Sequence, residues 1–395
     1  MSEFEVKVVK IDDVVDHPDA DRLTVVKIGG FNCIANKKED GSWRYQGGDM
    51  VVYIPEGAVV PDWLLKHMGF WNDEKDTGGL AGSKGNRVKA MKLRGIFSQG
   101  ILLPVEPDST EDNVLVISEP HNGNEGAGLW RLGDNVAEGL GITKHEPVIP
   151  SSMNGEMFDA FGKTLKFDVE NIQKYPDIFV EGEAVNVTEK LHGTWTCFGA
   201  YPEEDGTWTK IVTSKGMSAK GLAFKLTEEN AGNLYVRMLN ETKDENGFDI
   251  IDRLIEKMNR IYERSDRERK PFYLLGETYG KGVQDLAYGE DKPTFRAFDL
   301  YSGQPGQGEY VNSFVRIDIL STQGIESVPM LYEGPFSMEK MEELRDGRDY
   351  SNSNIREGIV IRPHVERQND FIGRVMLKYV SPKYLLRKGD TTEFN

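Results

Sequence analysis

Apolar and polar residues alternate over several short stretches in the first 145 residues. Phe4-Glu5-Val6-Lys7-Val8 alternates as a half-buried strand does, and 25–28 and 50–55 read as further strands. Another strand is predicted in 95–103, whereas the polar, glycine-rich stretch 108–128 is predicted to be a loop. Short strands separated by glycine turns predict a small β-barrel.

The pattern changes in the second half of the chain, where strands and helices mix. Apolar residues recur at helical spacing from Ile251 to Tyr262, and 358–361 and 374–378 read as strands. Two prolines and two serines within 147–152 indicate a linker. We therefore predict an α+β protein with a barrel in 1–146, a linker in 147–156 and a second domain in 157–395.

Composition agrees with a soluble protein of more than one domain. The chain has 395 residues, of which 38% are hydrophobic and 29% are charged. No apolar run approaches the roughly 20 residues that span a bilayer. Two cysteines, Cys33 and Cys197, form neither a disulfide framework nor a CxxC pair, so we expect buried thiols, a cytoplasmic location and no membrane partner.

The formal net charge of −17 restricts the class of partner. A protein this acidic does not attract nucleic acid through its overall field. If it acts on RNA or DNA, its lysines and arginines must be concentrated locally or metal ions must bridge to phosphates. We therefore predict that basic residues cluster beside the pocket of Lys190.

Lys190 is the first candidate for chemistry. It follows the apolar positions Val185 and Val187, and Gly193 comes three residues later, so its amine can be aimed into a pocket by a tight turn. A nucleophilic lysine must be neutral to attack, which requires burial or a nearby cation to lower its pKa. A solvated surface lysine is the alternative for this residue taken alone.

Four further residues follow Lys190 in order: Glu277, Phe298, Glu357 and Lys378. If Lys190 attacked the α-phosphate of a nucleotide, the reaction would need carboxylates to hold a divalent cation and another lysine to meet the charge. It would also need an aromatic platform for the base. One residue is available for each role, although each alone could be a solvated or core side chain.

This ordered set resembles the covalent nucleotidyltransferase superfamily, which contains polynucleotide ligases and capping enzymes. Within it, Lys190-Leu191-His192-Gly193-Thr194 looks like RNA ligase family 5, typified by the Deinococcus and Naegleria enzymes, and so do 279–286 and 139–147. The resemblance implies an ATP-grasp-like ligase domain of antiparallel sheets and helices. Segments 17–23 and 92–100 are similar to tRNA-binding OB-fold modules. This resemblance implies an OB-fold nucleic-acid-binding module in 1–146. The alternative is that His17-Pro18-Asp19 only forms a turn and has no role in binding.

The resemblance implies an ATP-dependent RNA ligase that seals 3′-OH/5′-phosphate breaks through lysyl-AMP and an adenylated RNA end. Its cofactors would be ATP and Mg²⁺ or Mn²⁺, and its partner RNA or an RNA-containing duplex with a break. The implied catalytic residues are Lys190, Glu357 and Lys378. The implied nucleotide contacts are Glu189 at the adenine amine, Gly193, Glu277 at the ribose, Phe298 stacked on adenine, and Lys190 and Lys378 at the α-phosphate. The implied metal ligands are Glu277 and Glu357.

Two positions depart from the motifs of the superfamily. The usual first motif is Lys-x-Asp-Gly, but the third residue here is His192, either a neutral hydrogen-bond partner or a packed histidine. The last motif usually has Lys-x-Lys, but Met376 and Val380 flank Lys378 at that spacing, and Lys383 has the wrong spacing. A capping-type guanylyltransferase and an RNA-binding protein with an inactive transferase domain are the alternatives.

Overall fold

The structure, a computed structural model, describes residues 4–108, 112–121, 124–146, 150–265 and 268–387. The chain divides into two compact units. One contains the described parts of 148–170 and 178–384, and the other contains the described parts of 2–147 and 385–395 together with Asn171–Asp177. The domain limits drawn from the sequence, 1–146 and 157–395, stay a prediction.

The first part of the chain, up to 146, is built mainly from short strands. Its strands are β1 (Lys7–Lys10), β2 (Asp13–Asp16), β3 (Leu23–Ile28), β4 (Phe31–Asn36), β5 (Met50–Ile54), β6 (Ala58–Val59), β7 (Trp71–Asn72), β8 (Thr77–Gly78), β9 (Met91–Leu93), β10 (Ile96–Ser98), β11 (Ile101–Pro104), β12 (Glu106–Pro107), β13 (Asn113–His121), β14 (Asn124–Arg131) and β15 (Thr143–Lys144). Its helices are α1 (Asp62–His67) and α2 (Ala137–Leu140).

Two antiparallel sheets of three strands, ordered β1-β5-β11 and β2-β3-β4, form the centre of this unit. The alternation read from the sequence places Val8, Val52 and Leu103 in a fully buried core. The predicted strand at 95–103 is two strands, because Gly100 breaks it with φ +81°. A Cβ on Gly100 would lie 2.8 Å from the carbonyl oxygen of Ile54, so no larger residue fits there.

The predicted loop at 108–128 is wrong for most of its described length. β13 and β14 pair as an antiparallel hairpin, with Val114 opposite Trp130 and Val116 opposite Gly128. Val114 and Val116 are almost fully buried and join the core of the unit. The period-2 pattern of these two valines outweighs the polar and glycine residues around them.

The segment Asn171–Asp177 lies far along the chain but belongs to the same unit. The side-chain Nε2 of Gln173 donates to the carbonyl oxygen of Gly30 (2.7 Å) and to Oε1 of Gln99 (3.0 Å). The backbone N–H of Gly30 donates to the carbonyl oxygen of Gln173 (2.9 Å). A Cβ on Gly30 would lie 2.8 Å from Cα of Gln173, so this glycine allows the close approach.

The second part of the chain mixes strands and helices, as predicted. Its strands are β16 (Met157–Asp159), β17 (Glu170–Asn171), β18 (Ala184–Lys190), β19 (Thr194–Pro202), β20 (Trp208–Ser214), β21 (Leu222–Phe224), β22 (Phe272–Gly280), β23 (Pro293–Ser302), β24 (Glu309–Tyr310), β25 (Met330–Pro335), β26 (Gly358–Pro363), β27 (Gln368–Asn369), β28 (Gly373–Arg374) and β29 (Leu377–Val380). Its α-helices are α3 (Lys215–Ala219), α4 (Leu234–Glu241), α5 (Ile250–Ser265), α6 (Ser313–Thr322), α7 (Met338–Arg345) and α8 (Pro382–Leu385), and Ser151–Met153 and Ile172–Lys174 are 3₁₀ helices.

Two antiparallel arrays of strands carry the candidate residues. One has the order β29-β26-β18-β25, and the other has the order β20-β19-β22-β23-β24. The outer face of the second array packs on α4 and α5 through Phe198, Leu274 and Leu254. The periodic helix predicted from Ile251 to Tyr262 is confirmed as α5.

Within the described residues, no helix is both long enough and apolar enough to cross a membrane.

Candidate active site

Lys190 is the last residue of β18 and lies opposite Gly358 of the neighbouring strand β26. Its Nζ is 3.0 Å from Oε1 of Glu357, the residue just before that strand. The lysine side chain is 18% exposed and the glutamate side chain is 1% exposed, so water screens this pair poorly. The amine is therefore held beside a buried carboxylate at the end of a strand.

Glycines on both sides make this arrangement possible. A Cβ on Gly193 would collide with the carbonyl oxygen of Thr278 and would lie 2.9 Å from Cβ of Tyr279. A Cβ on Gly358 would collide with the carbonyl oxygen of Tyr379 and would lie 2.9 Å from Cα of Val380. The close turn after Lys190 and the close strand pair beside it therefore both require glycine.

Strand register places Lys378 on the same face as Lys190. Val360 lies opposite both Thr188 and Lys378, and residues directly opposite in an antiparallel sheet share a face. Lys190 is two residues from Thr188, so its side chain points to that face as well. The predicted strand at 374–378 is displaced: Lys378 is the second residue of β29, and Met376 lies outside the strands.

Glu189 points away from Lys190, because successive residues of a strand face opposite sides. It is buried, and Oε2 lies 3.9 Å from Nε of Arg356. Burial raises the pKa of this carboxyl to about 7, and Arg356 opposes that rise. The structure does not bring Glu189 to the face that carries the two lysines.

Glu277 and Phe298 lie on the second array. Glu277 pairs with Trp195 on one side and with Arg296 on the other, and it is half-buried. The register of β22 and β23 shifts between Leu275 and Gly276, which leaves Phe298 as the extra residue of a β-bulge. Bulges redirect side chains and are frequent beside active sites. The ring of Phe298 lies 5.2 Å from that of Phe167.

Asp299, next to Phe298, is the centre of a buried charge cluster that sequence reasoning missed. Its carboxylate accepts hydrogen bonds from Arg374 (2.6 and 3.2 Å), Arg316 (3.2 Å) and Arg362 (3.4 Å). Burial alone would raise the pKa of Asp299, but the three guanidinium groups hold it below its usual range.

Asp299 lies on β23 and Arg362 on β26, so the cluster links the two arrays. The only sequence signal was the Phe298-Asp299 dipeptide itself, because the arginines come from distant segments. The cluster brings three guanidinium groups beside the bulge of Phe298, but they are paired with Asp299, and Arg374 is also paired with Glu366. The basic concentration predicted beside Lys190 stays a prediction.

His192 is buried, and both of its ring nitrogens and its backbone N–H lie within hydrogen-bond distance of other side chains. Its Nε2 is 2.6 Å from Oδ1 of Asp285, and its Nδ1 is 2.8 Å from the hydroxyl of Tyr384. Its backbone N–H donates to the hydroxyl of Tyr288 (2.6 Å). Nδ1 also lies 3.9 Å from Oε1 of Glu357, the oxygen that contacts Lys190. Of the two possibilities left by the sequence, the structure favours a hydrogen-bonded partner over a merely packed ring.

Within the described residues, no group of three His, Cys, Asp or Glu side chains has the geometry to hold a metal ion. Magnesium and manganese sites in nucleotide enzymes are commonly built from one or two carboxylates together with phosphate oxygens and water. The donor chemistry of Glu277 and Glu357 fits a cation of that kind, held jointly with a phosphate.

The two N-terminal motif segments meet in the folded chain. Nε2 of His17 lies 3.1 Å from the carbonyl oxygen of Leu93, and Nδ1 accepts from the backbone N–H of Asp19 (3.1 Å). Arg94, at φ +41°, donates to the carbonyl oxygen of Asp19 (3.3 Å). His17 therefore fastens the turn that follows it to the β9–β10 hairpin, which carries Lys92 and Arg94.

Comparison with protein families gives two matches. Residues 183–380 match the family described as RNA ligase, and residues 5–105 match a family described as an OB-fold domain. A search of curated proteins gave no match. The OB-fold barrel predicted for the N-terminal part is therefore confirmed.

Solved structures of similar fold include the Naegleria gruberi RNA ligase with pyrophosphate. It is 22% identical, with a TM-score of 0.68, and the match covers 97% of this chain and 98% of that chain. A variant of the same enzyme in which a lysine is replaced by alanine, solved with ATP and Mn, is 21% identical with a TM-score of 0.67, covering 96% and 98%. This likeness confirms the predicted α+β fold with an N-terminal barrel.

Proposed function

Because this chain belongs to the RNA ligase family, we propose that it is an ATP-dependent RNA ligase that joins a 3′-OH to a 5′-phosphate through a lysyl-AMP intermediate. The observation that carries this proposal is the pair of the partly exposed Lys190 and the buried Glu357, 3.0 Å apart at the end of β18. The solved Naegleria gruberi structures contain ATP, AMP, pyrophosphate and Mn, which supports ATP and a divalent metal as the cofactors of this chain.

In the first step, Lys190 must lose a proton before its nitrogen can attack. Glu357 lies within hydrogen-bond distance of the amine and can accept that proton or hold the amine in place. The nitrogen attacks the α-phosphorus of ATP; a P–N bond forms, and the bond to the bridging oxygen breaks to release pyrophosphate. Lys378 shares the face of Lys190 and is assigned to the α-phosphate, where its charge meets the developing negative charge.

In the second step, an oxygen of the RNA 5′-phosphate attacks the phosphorus of lysyl-AMP; a P–O bond forms, the P–N bond breaks, and the amine of Lys190 takes up a proton as it leaves. In the third step, the 3′-OH of the neighbouring strand attacks the 5′-phosphorus, a phosphodiester forms, and AMP leaves. Both are displacements at phosphorus in which no oxidation state changes, so no reductant or oxidant is needed.

The remaining residues are assigned to binding. Phe298, aimed by the bulge, provides the stacking face for adenine. Glu277 is assigned to the ribose and, with Glu357, to a divalent cation, which when bound neutralises charge on the phosphates. Gly193 allows the nucleotide to approach the backbone after the nucleophile. Glu189 remains assigned to adenine by resemblance only, and its strand position gives that role no support.

The RNA partner is assigned to the OB-fold module. OB-folds bind irregular or single-stranded nucleic acid through a basic groove and stacking aromatics. The hairpin of β9 and β10, which His17 fastens, carries Lys92 and Arg94 and is assigned to phosphate contacts. A break in an RNA strand, alone or within an RNA-containing duplex, is the substrate class.

The decisive experiment incubates the protein with α-labelled ATP and Mg²⁺ and then resolves it by denaturing electrophoresis. Label is expected on the wild type and on Lys225→Ala, which removes an exposed lysine of the same unit paired to Glu156 at 3.2 Å. Label is expected to be absent from Lys190→Ala. A Lys190→Ala variant that still carries label would remove Lys190 from the mechanism.

The same experiment separates the alternatives. Label from α-labelled GTP instead of ATP would identify a capping-type guanylyltransferase, and no label from either nucleotide would identify an RNA-binding protein with an inactive transferase domain. A second reaction supplies a nicked RNA duplex with 3′-OH and 5′-phosphate ends. A sealed strand and released AMP are expected, and a protein that is labelled but never seals any RNA break would overturn the ligase assignment.

A further inference from the structure

We propose that Asp285 is a positioning residue for the formation of lysyl-AMP and that it acts through His192. This inference rests on the proposed function, because it concerns the step in which Lys190 attacks ATP. Asp285 lies in the segment between β22 and β23, far in sequence from Lys190. Asp285 itself contacts none of the reacting groups in the proposed reaction.

The ring of His192 connects Asp285 to the nucleophile. On one side, Nε2 is 2.6 Å from Oδ1 of Asp285. On the other side, Nδ1 is 3.9 Å from Oε1 of Glu357, and that same oxygen is 3.0 Å from Nζ of Lys190. The four side chains therefore lie in a row from the edge of the site to the amine, in which His192 and Glu357 are neighbours at 3.9 Å rather than hydrogen-bonded partners.

The row is rigid at its centre. The side chain of His192 is fully buried, whereas that of Asp285 is 44% exposed. A hydrogen bond to a carboxylate is short and strong, so Asp285 holds the hydrogen on Nε2 and leaves Nδ1 to accept from the hydroxyl of Tyr384 at 2.8 Å. One tautomer and one ring orientation are thereby fixed beside Glu357.

The sequence explains why this chain uses such a row. The first motif usually has a carboxylate two residues after the lysine, and solved variants of the Naegleria gruberi enzyme include changes at a lysine and at an aspartate two positions later. Here His192 occupies that spacing and brings no carboxylate. Asp285 restores a carboxylate to the row, one imidazole ring further from Lys190.

The first test measures self-adenylation of Asp285→Ala at saturating ATP, together with the KM for ATP. The rate is expected to fall about tenfold to a hundredfold, the range for losing a hydrogen bond to an ionised group, while the KM changes little. Glu333→Ala is the matched control, because Glu333 lies 3.5 Å from another histidine, His364, on the exposed side of the same unit. Equal rates for wild type and Asp285→Ala would overturn the proposal.

The second test separates positioning from a general loss of structure. In a His192→Asp background the motif carries its own carboxylate, so adding Asp285→Ala is expected to cause no further loss of rate. An equal loss in both backgrounds would show that Asp285 supports the fold rather than His192, and would overturn the proposal. Asp285→Asn keeps the shape of the side chain and is expected to lose rate while keeping the wild-type melting temperature.

A third test measures the tautomer of the His192 ring directly. Nitrogen-15 NMR of the histidine rings, with His192 assigned by the signal absent from His192→Asp, is expected to show the Nε2–H tautomer in wild type and a tautomer mixture in Asp285→Ala. An unchanged tautomer would overturn the proposal. A labelled wild type with an unaffected Asp285→Ala would refute this inference alone, whereas an unlabelled wild type would refute the proposed function and this inference with it.

Discussion

Glu189 offers a test of the structure that does not depend on catalysis. Its carboxyl is buried on the face of β18 opposite Lys190, and burial raises its pKa to about 7 from 4.5, with Arg356 opposing. A folded-state pKa above the unfolded value means that the folded protein holds the proton more tightly. The protonated carboxyl of Glu189 therefore contributes its full free energy of stabilisation below about pH 4.5. This contribution falls between pH 4.5 and 7 and is lost above that window.

The size of the effect follows from the same shift. A rise of about 2.5 pKa units at 1.36 kcal/mol per unit corresponds to about 3 kcal/mol of stability lost between the two ends of the window. Glu189→Gln has the shape of the protonated side chain but cannot ionise. The variant is expected to match the wild type near pH 4.5 and to exceed it by about 3 kcal/mol near pH 8.

The assay is thermal unfolding of both proteins across this pH range. A difference of about 3 kcal/mol corresponds to roughly 6–12 °C in Tm for a unit of this size. Only the difference between the two proteins matters, because other titrating groups affect both equally. A difference that stays flat with pH, or that favours the wild type at pH 8, would refute the burial of Glu189 on that face.

Three further predictions test the site. Gly193→Ala should lower Tm by the equivalent of about 1–3 kcal/mol and slow self-adenylation, because its Cβ collides with Thr278, whereas Gly232→Ala, where a Cβ meets nothing within 4 Å, should do neither. Asp299→Ala should destabilise the protein by about 3–5 kcal/mol, since it removes the carboxylate of the buried Arg316 and Arg362, while Arg374 keeps its pair with Glu366; an unchanged denaturation midpoint would contradict the cluster. Removing divalent cations with EDTA should abolish label transfer from ATP, and added Mg²⁺ or Mn²⁺ should restore it; label transfer that persists in EDTA would exclude a metal requirement.

Local patterns in the sequence were sufficient for the features that depend on neighbouring residues. The strand before Lys190 and the tight turn at Gly193 follow from the apolar alternation and the glycine. The opposite orientations of Glu189 and Lys190 were also predictable, since adjacent strand residues never share a face. The hairpin of β13 and β14 was missed because glycine and polar residues hid two buried valines.

Features that depend on distant segments were beyond sequence reasoning. The carboxylate of Asp299 meets arginines from α6, β26 and β28, and nothing in the spacing of these residues reveals that they converge. The partner of His192 is similar: Asp285 is 93 residues away, and only the folded chain brings it to the ring. The β-bulge that leaves Phe298 without a partner residue on β22 depends on the register between β22 and β23, which the sequence of one strand alone does not determine.

The hydrogen bonds of Gln173 with Gly30 and Gln99 limit which barrels could replace the first part of the chain. A recombination event that replaced the first 146 residues with a foreign barrel would leave Asn171–Asp177 behind, encoded with the rest of the chain. Gln173 would then lack the carbonyl, the side-chain amide and the flat glycine surface that it fits. A barrel put in place of residues 1–146 is therefore expected to pack on this seven-residue segment only if it offers the same three groups.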